Sequence, residues 1–388
     1  MTPRRIVVVT TTRADYGLLR HIIAALAADK RAAVQLVVGG AHLERRFGST
    51  VKEIIADGVP IAARVRFDAR GDDGAAAAGA MGVALSGFGA AFRRLKPDVV
   101  LLLGDRSEIL AAAAAATLNG AVVAHLNGGE VTQGSLDESW RHAITKIAHM
   151  HFPSTTAFAR RIRMMGEDPW RIHVVGSSGV EAIRRERLLT RAELQRSIGH
   201  DLRAPLAVVT YHPVTNDPAA TEREIAALTD ALTSSDLGTI VFTGVNADPG
   251  GRAVARVITR AAKADPRIVR VPSLGSRRYL SLLRAADVML GNSSSGLLEA
   301  PSFGLPAINI GRRQEGRLRG ANVIDVPGDA RAIGAALDRA LRPTFRARLR
   351  SRRNPYGDGH TSNRVRARLL GPLDVDRLRA KRFADSHR

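Results

Sequence analysis

The sequence contains no cysteine, so neither a disulfide framework nor a thiolate metal site is available to it. Its first apolar run is not followed by G-x-G-x-x-G, which removes support for a dinucleotide cofactor, and no G-x-x-x-x-G-K-[ST] occurs. The histidine-rich stretch "HAITKIAHMH", with His142, His149 and His151, lacks the H-E-x-x-H pattern, so no metal site is expected. The N-terminal "MTPRRIVVVTTTRADYG" is too short in its apolar part for a signal segment, and no other run is read as long enough to span a membrane; a cytoplasmic protein without a membrane partner is the expectation. Aromatic residues make up only 4% and few sit among the basic ones.

What is there is length and positive charge. A chain of 388 residues suggests two or three domains, and 45% hydrophobic with 24% charged residues fits a globular chain with ample core. The net charge of +21 is mostly arginine spread along the chain, whereas nucleic-acid modules concentrate charge on one face or tail. The densest stretch, "RPTFRARLRSRRNPYGDGHTSNRVRARLL", reads as solvated helix faces, so no nucleic-acid partner is expected. The excess charge would still attract a small anionic substrate.

Apolar runs rich in Val, Ile and Leu alternate with helical patterns: "RIVVVTTT", "VQLVVGGAH", "DVVLLLGD", "AVVAHLNG" and "RIHVVGSS". The pattern restarts after "TRAELQRSIGHDLRAP" with "LAVVTYHP", "LGTIVFTG", "RIVRVPSL", "ADVMLGNSSSG", "LPAINIG" and "NVIDV". Short continuous apolar strands separated by helices indicate parallel sheets covered on both faces. The expected class is therefore α/β with two doubly wound domains, residues 1–176 and 177–350, followed by a basic helical segment, 351–388. Ligands of such sheets bind beyond the carboxyl ends of the strands, where most polar clusters of this sequence fall.

In "LGDRSEILAAAAAATLNGAVVAHLNGGE" two strand ends carry Asp105, Arg106, His125 and Glu130, with an alanine helix between them. "GNSSSG" lies between a strand and a helix; it reads either as an anion cradle using Ser293, Ser294 and Ser295 or as an ordinary capped helix start. Glu299, one turn on, would suit ribose hydroxyls better than phosphate. The four arginines of "GRRQEGRLRGAN" either clamp a diphosphate or form a solvated loop. His212 ends the strand of "VTYHPVTND". "SLDESWRHAITK" reads as a capping box of Ser135 and Glu138, leaving Asp137 and Arg141 four residues apart and able to pair.

Taken in order, "TTTRADYGLL", "GGAHLERRFG", "GDRSE", "HLNGGEVTQGSLDESWRHAITKIAH", "YHPVT", "GNSSSGLLEAPSFGLPAINIGRRQEGR" and "GANVIDV" resemble the hydrolysing UDP-N-acetylglucosamine 2-epimerases of sialic- and legionaminic-acid pathways, over residues 4 to 330. The resemblance implies a GT-B-like fold, two Rossmann-like domains facing a central cleft, with the C-terminal helices returning to the first domain. It implies conversion of an NDP-N-acetylhexosamine and water into the C2-inverted free sugar and NDP, by elimination to a 2-acetamidoglycal and then hydration. It implies no cofactor and a homo-oligomer, dimer or tetramer. Carried over by position, Asp105 and Asp137 do acid–base work, His42 lies at the sugar site and Arg141 supports it, with Glu130 a further candidate base. Arg13, Gly17, Arg106 and His212 meet the diphosphate, and Asn246, Ser293, Ser294, Glu299 and Arg313 hold the nucleotide. One departure bears on the substrate: Asn127 stands where many members carry Glu and others His, and Asn cannot abstract a proton. Either Asp105, Asp137 or Glu130 is then the base, or the sugar differs, as in 4-acetamido-6-deoxy sugars or GDP-linked ones. A GT-B glycosyltransferase and a non-catalytic nucleotide-sugar binder are the alternative readings.

Overall fold

A computed structural model describes residues 2–44, 50–67, 73–131, 136–214, 217–244, 251–271, 274–350 and 353–385, without the side chains of Pro218 and Arg350. The chain divides into two compact units: unit 1 is Met1–Ala182 with Tyr356–Arg388, and unit 2 is Ile183–Pro355. Both divisions fall a few residues after the boundaries read from the sequence. Unit 1 contains β1 (Arg4–Thr10), α1 (Arg13–Ala27), β2 (Ala32–Gly39), α2 (Val51–Ala56), β3 (Ile61–Val65), α3 (Gly74–Leu95), β4 (Val99–Leu103), α4 (Ser107–Leu118), β5 (Val122–Leu126), α5 (Leu136–Ile147), β6 (Met150–Phe152) and α6 (Thr156–Met164). Helix α7 (Ser178–Arg185) straddles the division. Unit 2 continues with α8 (Arg191–Ile198), β7 (Leu206–Thr210), α9 (Pro218–Thr233), β8 (Thr239–Thr243), α10 (Gly251–Ala264), β9 (Ile268–Val271), α11 (Gly275–Ala285), β10 (Val288–Gly291), α12 (Ser295–Leu298), β11 (Ala307–Ile310), β12 (Val323–Val326), α13 (Ala330–Leu341) and α14 (Pro343–Arg350). Helices α15 (Thr361–Leu370) and α16 (Val375–Arg379) belong to unit 1.

Each unit is built on one six-stranded sheet, ordered β3-β2-β1-β4-β5-β6 in the first and β12-β11-β10-β7-β8-β9 in the second. All pairings are parallel. Counted from its own first strand, each sheet has the order 3-2-1-4-5-6 of the doubly wound nucleotide-binding fold, whose ligands sit where the strand order reverses. That point lies between β1 and β4 in unit 1 and between β7 and β10 in unit 2.

The continuous apolar runs follow from burial on both faces. Ile6 and Val8 of β1 enter one core with Leu19, Ile22 and Ile23 of α1; Val7 and Val9 enter the opposite core with Phe88, Phe92 and the alanines of α4. Each fully buried Val or Leu contributes about 1.5–3 kcal/mol, so a charge at Val8 would remove that term and add an unpaired buried ion. Ala111, Ala112, Ala113, Ala115 and Ala116 are all buried, which lets the alanine helix pack closely against α3. Helix α3 corrects the reading that no segment reaches span length: its 22 residues are long and apolar enough, although Ala84, Phe88, Ala91 and Phe92 bury one face in the core of unit 1. A second correction concerns "RIHVVGSS". It forms only a single bridge, Ile172 to His151, beside the three-residue β6 that ends the sheet.

Candidate active site

In unit 1 the switch point is assembled by a carboxylate that sequence reasoning did not single out. Thr12 caps α1, and Asp15 three residues on closes a capping box. Asp15 is buried and accepts from the Thr11, Thr12 and Tyr16 N–H groups at 2.8, 2.9 and 2.8 Å and from the Thr10 hydroxyl at 2.9 Å. An ionised carboxylate only accepts, so the Thr10 hydroxyl spends its proton there. His42 Nε2, 2.9 Å from the same hydroxyl, must therefore be the donor, and its Nδ1 accepts from the Thr50 hydroxyl at 2.8 Å. His42 is fully buried, burial lowers its pKa, and both nitrogens are engaged. It braces the Thr10–Asp15 turn rather than presenting a lone pair.

Glu108 is the second carboxylate missed. It accepts from the Thr11 hydroxyl at 3.2 Å and from Arg106 Nε at 2.6 Å, tying the loop after β1 to the loop after β4. The T-x-x-D of "TTTRAD" signalled the role of Asp15; nothing local signalled that of Glu108.

The candidates Asp105, Glu130 and Arg141 do come together. Arg141 on α5, with its side chain only 5% exposed, pairs through Nη2 with Asp105 Oδ2 and through Nη1 with the Glu130 carbonyl at 3.2 Å and Glu138 Oε2 at 3.4 Å. One guanidinium thus gathers groups from the ends of β4 and β5 and from the first turn of α5. The Glu130 carboxylate accepts from Ser154 at 3.2 Å. Asp137 lies exposed on the first turn of α5. Ser135, its expected N-cap, lies outside the described residues, as does Asn246. Asn127, just after β5, has φ of +62°, a left-handed conformation that Asn tolerates better than Glu. Arg13 and Gly17 lie on the exposed start of α1: Arg13 pairs with Glu53 at 3.0 Å, and nothing lies within 4 Å of a Cβ at Gly17.

In unit 2 the switch point is clasped by Asn292, another residue missed. Its Oδ1 accepts from the His212 N–H and its Nδ2 donates to the His212 carbonyl, both at 2.8 Å, joining the ends of β7 and β10. Gly291 before it has φ of +130°, and a Cβ there would overlap the Thr210 carbonyl. Ser293 and Ser294 stand half-exposed beside this clasp. The helix after them, α12, has a single turn before Pro301 and gives no extended dipole, and Ser293 accepts from the Ser295 N–H at 3.3 Å. Glu299 has one carboxyl oxygen, Oε2, buried without a hydrogen-bond partner among the described residues, and burial raises its pKa. Tyr279 donates to Ser295 at 2.6 Å nearby.

Three of the four arginines have different partners. Arg312 pairs with Glu315 and Arg319 with Asp325, at 2.9 and 2.7 Å, whereas Arg313 and Gln314 reach the Asn292 carbonyl at 3.2 and 2.9 Å. Among the described residues no three His, Asp or Glu side chains form a group able to hold a metal ion. Unit 1 therefore offers carboxylates around a buried arginine, a set suited to moving protons. Unit 2 offers hydroxyls, a histidine and one arginine at a nucleotide-type crevice.

Comparison with known proteins gives the family and the fold. The family model described as "UDP-N-acetylglucosamine 2-epimerase" matches residues 24–370. The chain is similar to the GDP/UDP-N,N'-diacetylbacillosamine 2-epimerase (hydrolyzing) of Campylobacter jejuni, with 35% identity over 386 residues, 99% of this chain and 100% of that one. Against the UDP-N,N'-diacetylbacillosamine 2-epimerase (hydrolyzing) of Legionella pneumophila the identity is 39% over 363 residues, 93% of this chain and 94% of that one. The crystal structure of UDP-GlcNAc 2-epimerase from Neisseria meningitidis bound to UDP-GlcNAc superimposes with a TM-score of 0.75 at 16% identity, covering 94% of this chain and 99% of that one. That likeness establishes the fold as the expected GT-B-like class with two Rossmann-like domains.

Proposed function

The chain belongs to the UDP-N-acetylglucosamine 2-epimerase family and is a hydrolysing 2-epimerase of a nucleotide-linked N-acetylhexosamine; from that premise we propose that its sugar is N,N'-diacetylbacillosamine or a close 4-acetamido-6-deoxy relative, carried on UDP or GDP. The observation that carries the choice of sugar is the end-to-end likeness to the Campylobacter enzyme named for it.

The reaction consumes water and releases NDP and the C2-inverted sugar. In the elimination the C1–O pair leaves with the diphosphate, and a base takes the C2 proton so that the C2–H pair becomes the C1=C2 bond. Hydration then places OH on C1 and returns a proton to the other face of C2. The C2–H of the intact sugar is barely acidic, so departure of the diphosphate must run ahead, and groups that stabilise the leaving anion carry much of the barrier. Ser293, Ser294, His212 and Arg313 take that part, with Glu299 toward the ribose. Asp105, Asp137 and Glu130 are the carboxylates left for proton transfer, since Asn127 has no basic oxygen. Arg141 holds Asp105 through Oδ2, which leaves Oδ1 for the sugar. The same premise carries a cytoplasmic location, where nucleotide sugars are made, and self-association as a dimer or tetramer.

The test is incubation in D2O with UDP- and GDP-linked N,N'-diacetylbacillosamine and with UDP-GlcNAc. Release of NDP with inverted, deuterated C2 on a diacetamido sugar is expected, at a kcat/KM above that on UDP-GlcNAc. Preference for UDP-GlcNAc would overturn the choice of sugar. NDP release with C2–H retained is the behaviour of a GT-B glycosyltransferase and would overturn the chemistry.

A further inference from the structure

We propose that His125 is a positioning residue for this reaction, a hydrogen-bond donor that fixes the Gly104 peptide and through it the Asp105 side of the Asp105–Arg141 pair. The inference rests on the role given to Asp105 above.

His125 lies in β5 among Val122, Val123, Ala124 and Leu126, all buried, and is itself fully buried. An imidazole in such a strand costs desolvation that a leucine would not, so its polar contacts must offset that cost. Its Nε2 lies 2.7 Å from the Gly104 carbonyl, an obligate acceptor, so Nε2 carries the proton. The N–H of the same glycine donates to the Leu126 carbonyl at 3.3 Å. Both polar groups of Gly104 are thereby held by consecutive residues of β5. Gly104 has φ of +89°, and this turn carries the chain out of β4 into Asp105.

The other face of the ring meets α5. His125 Nδ1 is 3.5 Å from the Thr145 hydroxyl, which donates to the Arg141 carbonyl at 2.9 Å. One ring thus touches the residue before Asp105 and the residue one turn after Arg141. The space it occupies is reserved by the sequence, because a Cβ on Gly128 would come within 3.0 Å of both His125 Nδ1 and Thr145 Oγ1. Burial lowers the pKa of His125 to about 3, in keeping with a neutral strut. The residue touches no substrate; it acts through Gly104.

The experiment compares full-length His125→Gln, which keeps a donor near the Nε2 position, with His125→Leu, which keeps bulk without a donor. His125→Leu should lower kcat about 10- to 100-fold, the scale of a misplacement near 1 Å, with KM and UDP affinity by calorimetry changed less than about 3-fold. His125→Gln should recover most of that loss. A folded His125→Leu with wild-type kcat, or equal loss in both variants, overturns the proposal. If neither variant folds, long-range 1H–15N spectra of the wild-type imidazole decide: Nε2 protonated with Nδ1 bare supports it, and the opposite tautomer refutes it. The tautomer is read on protein without substrate, so it stands even if no tested sugar is turned over, an outcome that would count against the substrate reading alone.

Discussion

Replacing Asp105 with Asn removes one negative charge and leaves the volume unchanged, so it separates proton transfer from packing. The structure sets two magnitudes. Arg141, 5% exposed, loses its charged partner, whereas Asp105 is 26% exposed and Glu138 Oε2 remains 3.4 Å from the guanidinium. Breaking a fully buried pair costs about 3–5 kcal/mol and an exposed pair about 0–1 kcal/mol. This half-sheltered pair, with a second carboxylate in reach, should cost about 1–2 kcal/mol. For a unit of this size that lowers the melting temperature by about 2–8 °C. Turnover should fall by much more, on the order of 100- to 10,000-fold, if Asp105 transfers a proton. UDP affinity should hold, because Ser293, Ser294, His212, Arg313 and Glu299, the groups proposed for the leaving diphosphate and the ribose, belong to unit 2. The assay is NDP release and C2 deuteration in D2O, with calorimetry for UDP and thermal unfolding alongside. Adding Arg141→Met alone and in combination completes a double-mutant cycle, and a coupling of about 0.5–3 kcal/mol in stability is expected for groups in contact. An Asp105→Asn enzyme that turns over at the wild-type rate, with no coupling to Arg141, would refute both the role of Asp105 and the importance of the pair.

Further outcomes follow from the same geometry. Gly291→Ala should destabilise unit 2 by about 3–5 kcal/mol, because a positive φ and the overlap with the Thr210 carbonyl act together; soluble yield and urea midpoints check it, and a fully stable variant contradicts the backbone geometry. Burial raises the pKa of Glu299, so its carboxyl favours folding most below the ordinary carboxylate range and that contribution is lost as pH rises through the raised value. Glu299→Gln should therefore match wild type in melting temperature near pH 4.5 and exceed it at pH 8; a gap independent of pH refutes the assignment. Burial depresses His149 and His173 to about 4, so their neutral forms stabilise the fold above pH 6.5, and that stability is lost as pH falls toward 4. The slope should reach about 1.4 kcal/mol per pH unit for each histidine, and His149→Gln should reduce it in urea titrations between pH 7 and 4.5.

The sheets were legible in the sequence because strands buried on both faces must be continuously apolar, and ten of the runs quoted correspond to strands of the two sheets. The same signal misled at "RIHVV", an apolar run that lies beside the sheet edge and makes one bridge. It also missed β6, where "MHF" is too short to register and carries a histidine whose partner, Glu167 at 3.0 Å, is not visible locally. The candidate site was legible as a set of residue types at strand ends. Its wiring was not, because Asn292 and His212 are 80 residues apart and Thr11 and Glu108 are 97 apart. Asp137 and Arg141 have the right spacing to pair, yet spacing along a helix could not announce Asp105, which reaches Arg141 from another strand.

Unit 2 is an insertion within unit 1, and this has a consequence for biogenesis. Val365, Leu369, Leu370 and Leu378 complete the core that Ile6, Val8 and Leu19 begin, and Glu181 is buried against the Ser362 N–H at 2.6 Å. On the ribosome the earliest strands emerge first and the helices that cover them emerge last. Unit 2, a continuous stretch, can fold while the older sheet still shows apolar surface. The nascent chain therefore carries an unfinished face through most of its synthesis, the kind of surface that recruits chaperones and aggregates when translation stalls.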